Sequence, residues 1–190
     1  MPKMLKFGVN VLSFLMYLAL FGLVLGLVVP IGFLIDGFGS NVAKSIVTDS
    51  EYLVVLHHTH VSSSAIANFP SGVYGVLMAA GSVLSVIAGL MMVWAGLQLL
   101  GNLVKKQYFV SDNVKQLKRI VIAQIIAVFS DGFVATANQL IKTDLYRVNS
   151  TYPVDWNDPL QDLVMLVIIG LVYYIYQRAV ALKEESELTI

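Results

Sequence analysis

Four long stretches of this chain carry almost no charged side chains. From about Phe7 to Ile35, and again from about Val73 to Val104, there is none. Between about Ile120 and Ile141 the one charge is Asp131, and between about Leu160 and Leu182 the charges Asp162 and Arg178 lie toward opposite ends. A bilayer core about 30 Å thick is crossed by about 20 apolar residues in a helix, so each stretch is long enough. No water inside hydrocarbon satisfies a free backbone amide, and a helix pairs its own amides internally. Strands would need a closed barrel of alternating ~10-residue segments, a pattern absent here. The sequence therefore predicts an all-α integral membrane protein, a four-transmembrane-helix bundle forming a single membrane domain over residues 1–190. The first stretch is about twice the apolar length of a signal peptide. The segment after it, Asp36-Gly-Phe-Gly39, offers no Ala-x-Ala cleavage site, so the first stretch is read as a retained span.

Charge supports the same conclusion. Only 13% of the 190 residues are charged and 57% are hydrophobic, whereas a soluble domain carries about 25% charged residues. The formal net charge of zero argues against a nucleic-acid partner. With no cysteine there is no disulfide framework, thiolate metal site or cysteine nucleophile. Lys3, Lys6, Lys105, Lys106, Lys115, Lys118, Arg119, Arg178 and Lys183 flank one side of the spans, nine cations against three (Lys44, Lys142 and Arg147) on the other. Cations favour the cytoplasmic side. Both termini, the link 105–119 and the tail 183–190 are thus expected inside. The loops 36–72 (about 37 residues) and 142–159 are expected outside.

In lipid, helices associate through close backbone approach and interhelical hydrogen bonds. Gly22 and Gly26 in the first span, and Gly81, Ser85 and Gly89 in the second, form small-residue faces that are expected to meet. Pro30 is expected to bend the first span near its outer end. Trp94, Tyr146, Tyr152 and Trp156 suit interfacial positions. The apolar run Tyr52-Leu-Val-Val-Leu56 is expected to lie against the membrane or fold into a short hairpin. Ser111 is a candidate N-cap, with Asp112 in the first turn favourable to the helix dipole.

Asp131 stands twelve residues beyond Arg119, roughly 18 Å along a helix and near the membrane midplane. Gln124, Asp131 and Asn138 are spaced seven apart and share one helix face. A polar stripe at that depth faces protein or a water-filled cavity. Its functional reading is a proton or ion relay or a ligand pocket. Its structural reading is a protonated carboxyl bonded to neighbouring hydroxyls, with Gln124 and Asn138 as interhelical glue. Tyr17, Ser85 and Tyr173 lie at a suitable depth to be partners. In the first outer loop His57, His58 and His60 form a short tract that could ligate a metal, although a closed zinc site needs four ligands. Asn149-Ser-Thr151 matches the glycosylation acceptor pattern but is common by chance. No Gly-x-Ser-x-Gly, His-Glu-x-x-His or phosphate-cradling glycine loop is present, so the sequence reads as non-enzymatic and without a cofactor.

The link Phe109-Val-Ser-Asp-Asn-Val-Lys-Gln-Leu-Lys-Arg119 and the terminus Ala181-Leu-Lys-Glu-Glu-Ser-Glu-Leu-Thr-Ile190 resemble a bacterial family of four-span membrane proteins known as domain of unknown function 2975. The matching positions include Ser111, Asp112, Asn113, Glu184, Glu185, Leu188 and Thr189, and Ser186 stands where the family usually shows Asn. The family carries no established activity. Its members are often encoded beside small helix-turn-helix regulators, which implies a signalling or accessory role. The resemblance implies a multi-pass protein of the bacterial inner membrane. Such a protein would act through a membrane or cytoplasmic protein partner, or as a homo-oligomer, in sensing, regulation or immunity. The alternative is a transporter or channel subunit working through Asp131. The acids Glu184, Glu185 and Glu187 are also placed to clasp the basic link.

Overall fold

A computed structural model describes residues 3–39, 42–55, 60–150 and 155–188. Their elements, in chain order, are α1 (Lys3–Gly26), α2 (Val29–Phe38), α3 (Val42–Thr48), β1 (Tyr52–Val54), α4 (Ser63–Asn68), α5 (Ser71–Val104), α6 (Ser111–Asp144), β2 (Arg147–Asn149) and α7 (Asn157–Leu188). Among the described residues the protein is all-α apart from one two-stranded ribbon. Four helical spans are long and apolar enough to cross a membrane: Lys6–Phe38, Ser71–Val104, Ser111–Asp144 and Asn157–Glu187. Their exposed surface carries dozens of large apolar side chains, among them Phe14, Phe21, Val164 and Ile175, each above 60% exposed. Soluble monomers rarely expose contiguous apolar patches beyond a few hundred Å². Such a surface suits lipid, and the chain is a multi-pass membrane protein.

The first span is interrupted where Pro30 falls. α1 stops at Gly26, Leu27 and Val28 form a turn, and Pro30 occupies the first turn of α2. Proline has no amide to donate there, which is harmless in the first turn of a new helix and disruptive within a continuing one. α6 begins at Ser111 with Asp112 in its first turn, so the third span starts well before its apolar stretch.

Contacts divide the chain into two units, each described by itself: Met1–Leu25, Val86–Ala127 and Asp162–Ile190 make the first, Gly26–Ser85 and Val128–Gln161 the second. In the first unit, Leu23 of α1 lies over Gly89 of α5, where an added Cβ would fall 2.9 Å from Leu23 Cδ2. Met16 lies likewise over Gly96. Both pairs step by seven, so knobs on α1 fill glycine holes on α5 at the heptad period. Gly22 has open space around it and is exposed. The expected approach through Gly22 is thus corrected: the larger Leu23 and Met16 make the seam, one residue round the helix from the small face. Ser85 is also exposed, and Gly26 is half-buried.

In the second unit α2 and α5 touch backbone to backbone. A Cβ on Gly37 would lie 2.7 Å from Gly75 Cα, and one on Gly75 would lie 2.6 Å from Phe33 O. Gly81 faces α6 within this unit: its missing Cβ leaves room for Val134 at 2.6 Å, and its carbonyl accepts from Ser130 Oγ at 2.8 Å. The buried positions of α5 include Tyr74, Gly81, Ala88, Ala95 and Asn102, and those of α6 include Gln116, Ala123, Ser130 and Ala137. Both sets repeat every seven residues, the period at which a helix keeps one seam against a neighbour.

The segment expected as the first outer loop is largely structured. Val42, Ala43 and Ile46 of α3 and Phe69 pack with Tyr74 of α5 and Ala137, Ile141 and Leu145 at the end of α6. β1 makes no local hairpin; that expectation is corrected. It pairs antiparallel with β2 of the second outer loop, Tyr52 opposite Asn149 and Val54 opposite Arg147. Flanking bonds from Val55 N to Tyr146 O (3.0 Å) and from Ser150 N to Glu51 O (2.7 Å) extend the ladder. The two loops therefore lie at the same end of the spans.

The glycine contacts lead to a graded expectation. Gly37→Ala or Gly75→Ala should lower stability by about 1–3 kcal/mol, because backbone atoms cannot rotate out of the way of a new methyl. Gly22→Ala should be neutral or slightly stabilising, since it adds helix propensity in open space. Detergent melting curves of the three variants check the order.

Candidate functional site

The polar stripe on α6 divides between different environments. Gln124 is buried and donates from Nε2 to the Asp162 carbonyl of α7 at 3.3 Å. This ties two helices of the first unit together. Asp131 and Asn138 are half-buried in the second unit, and both are engaged with neighbouring groups. Of the hydroxyls at similar depth, Tyr17 is 61% exposed and Ser85 is exposed; both face outward, correcting their expected inward role. Tyr173 is half-buried. Ser130, which adjoins the stripe, makes the buried α6–α5 hydrogen bond of the second unit.

The link between α5 and α6 is held by a polar knot in the first unit, centred on Asn113 and Asn102. Both side chains are buried. Asn102 Nδ2 donates to Asn113 Oδ1 at 2.7 Å and to Asp112 Oδ2 at 3.0 Å. Asn113 Nδ2 reaches the carbonyls of Gln107 (2.8 Å) and Tyr108 (3.0 Å) and the Tyr176 hydroxyl (3.1 Å). Tyr176 in turn donates to the Tyr108 carbonyl and stacks on Phe109, ring centroids 5.8 Å apart. α5 ends in a Schellman turn, with Gln107 N bonded to Asn102 O (2.9 Å), Lys106 N bonded to Leu103 O (3.1 Å), and Lys106 at φ 61°. That left-handed position usually takes glycine. The tail joins the knot through a cation: Lys183 Nζ donates to the Phe109 carbonyl at 3.3 Å. Glu187 pairs with Lys183 of its own helix at 3.5 Å rather than with a basic link residue. Glu184 is exposed and Glu185 is exposed but engaged. Leu188 closes α7, and Thr189 lies outside the described residues.

A cavity of about 270 Å³ opens beside the last turns of α6, lined by Asn138, Lys142, Arg147, Asn149, Asp155 and Trp156 among others. Arg147 is 6% exposed. A second recess, of about 400 Å³, adjoins α2 and α3 and carries the acids Asp36 and Asp49 instead. Of the histidine tract, His57 and His58 lie outside the described residues and His60 is exposed. Among the described residues no group of three metal-ligating side chains is assembled. Asn149, the head of the glycosylation-like triplet, sits in β2 against the cavity, and Thr151 lies outside the described residues.

Removing the knot's hub has a definite cost. Asn113→Ala should lower stability by about 2–3 kcal/mol, because it deletes several hydrogen bonds worth about 1 kcal/mol each and takes one acceptor from the buried Asn102 amide. Tyr176→Phe should cost about 1 kcal/mol. Chemical denaturation in detergent, with limited proteolysis at Lys105 and Lys106 as a local readout, checks both.

No curated protein and no solved structure matches the chain. The profile of a family described as a protein of unknown function and designated DUF2975 matches residues 39–190. That range contains every element from α3 to α7, including the knot, the ribbon and both cavities' α5–α7 walls. With well over half of its length matched, the chain belongs to the DUF2975 family.

Proposed function

We propose that the protein is a non-enzymatic component of the bacterial inner membrane that acts through a protein partner in sensing, regulation or immunity. One observation carries the reading: the link is rigid, yet its side chains are presented outward. Backbone carbonyls of Gln107, Tyr108 and Phe109 accept four side-chain hydrogen bonds. Meanwhile Lys105, Lys106 and Gln107 are exposed, and Tyr108 and Phe109 are each 49% exposed. A mere connection between two spans needs no such fixation. A fixed display of cations and half-exposed aromatics resembles the composition of protein-binding hot spots, where Tyr is enriched. The excess of cations around the link and tail supports their placement in the cytoplasm.

Transport through Asp131 is the second reading, favoured by its half-buried place within an apolar span. Asp131→Asn separates the two. Liposome flux that depends on the carboxylate favours transport, whereas an intact partner complex without flux favours the first reading.

The partner reading is tested by a photo-crosslinking residue at position 108 in native membranes, with position 14 as a control because Phe14 is 68% exposed on α1. A discrete protein adduct at 108 and none at 14 is expected, and a second copy of this chain counts as the partner. Tyr108→Ala should reduce recovery of that complex severalfold while shifting the melting temperature little. Adducts to lipid alone at both positions would sink the proposal.

A further inference from the structure

We propose that the cavity beside the end of α6 binds a phosphate group, with Arg147 as its principal ligand. The inference concerns the end of the spans opposite the link in sequence and stands apart from the partner reading.

The argument begins with where Arg147 sits. It is 6% exposed on β2, and its guanidinium donates from one Nη1 to the neighbouring Tyr146 carbonyl at 3.2 Å. Burial of a guanidinium is costly without a charged partner. All acidic side chains of the chain fall within the described residues, and no ion pair of Arg147 is found among those residues, where Glu187 pairs with Lys183. Arg147 therefore brings a buried positive charge to the cavity wall with no carboxylate paired to it among the described residues.

The rest of the lining agrees in sign and chemistry. Lys142 adds a second cation at the cavity. The one acid there, Asp155, is committed to the start of α7: its two carboxylate oxygens accept from Asn157 N and Asn157 Nδ2, each at 2.8 Å. Two cations and one acid leave the lining net positive by one. A planar guanidinium gripping two oxygens beside an ammonium that acts as a point charge suits a tetrahedral phosphate. Ala135, Ile141, Val148 and Trp156 supply apolar wall beside these cations. The site lies where the apolar stretch of α6 ends, at Lys142, which is headgroup level in a bilayer. The phosphate can thus come from a lipid headgroup or from a soluble phosphate.

Trp156 makes the site observable. The chain has two tryptophans, so Trp94→Phe leaves Trp156, on the cavity wall, as the sole reporter. The full-length protein in maltoside detergent is titrated with inorganic phosphate in one arm and with dihexanoyl-phosphatidylglycerol in the other. Sodium chloride at matched ionic strength is the control. A saturable change in Trp156 emission and a rising melting temperature are expected in at least one arm. Response to inorganic phosphate identifies a soluble source, and response to the lipid alone identifies a headgroup. Arg147→Met should weaken binding by about tenfold or more. Without ligand it should melt no lower than the parent, because it removes a buried unpaired charge; an arginine with a purely structural role would instead destabilise when lost. Lys142→Gln, at an exposed position, should weaken binding severalfold on an unaltered fold, and it decides the matter if Arg147→Met does not fold. The proposal is overturned if neither probe gives a saturable response, if chloride reproduces it, or if Arg147→Met or Lys142→Gln binds as the parent does.

Discussion

The structure depends on close backbone approach at positions where side chains are missing or minimal. Lipid gives helices no hydrophobic reason to associate, so contact must come from packing and from polar groups that find each other. In the second unit the Gly37–Gly75 contact and the Gly81–Ser130 hydrogen bond hold α2, α5 and α6 at such distances. In the first unit Leu23 and Met16 fill the hollows at Gly89 and Gly96. α5 supplies a glycine to each of these contacts. α5 and α6 also have the larger buried shares, 22% and 28% of their apolar windows, against 6% for the first and last spans. Within each unit α5 and α6 carry the seams, and the first and last spans present mostly apolar surface to their surroundings.

Polar groups are used sparingly, and their larger clusters sit at helix ends. The Asn102–Asn113 knot closes the turn between α5 and α6 and recruits Tyr176 and Lys183 from α7. In the second unit the β1–β2 ladder joins segments almost a hundred residues apart in sequence. Each device satisfies backbone groups that a helix terminus or loop would otherwise leave unpaired. Each also positions side chains that the apolar spans do not need: Tyr108 and Phe109 in the first unit, and Arg147 and Lys142 in the second.

The spans were legible in the sequence because hydropathy is a local property, and the family was legible because the link and tail carry its pattern. The packing faces were only partly legible. Gly22 and Gly26 satisfy a small-xxx-small spacing, but spacing does not say which side of a helix meets its neighbour, and Leu23 took the role. Gly37 lies just past the apolar run, and Gly75 belongs to a row of small residues with Ser71 and Ala79 that carries no mark of which helix it meets. The ribbon was missed because strand pairing between distant segments leaves no trace in either segment alone. Arg147 entered only as one cation in a topology count, since burial of a charge is a tertiary fact. Asn113 was noticed through resemblance alone; its hydrogen bonds to Gln107, Tyr108 and Tyr176 supply a physical reason for it.

We propose, from the excess of cations around the link and tail, that the α3–α4 and β2 segments emerge on one face of the membrane and the link and tail on the other. The chain has no cysteine, so single substitutions report cleanly. The direct measurement is labelling of Ser45→Cys, Ser150→Cys, Ser111→Cys and Ser186→Cys by a membrane-impermeant maleimide, before and after permeabilising cells. The account predicts that positions 45 and 150 react in intact cells and positions 111 and 186 only after permeabilisation. Reaction of 45 and 111 from the same face, or of 45 and 150 from opposite faces, would contradict it.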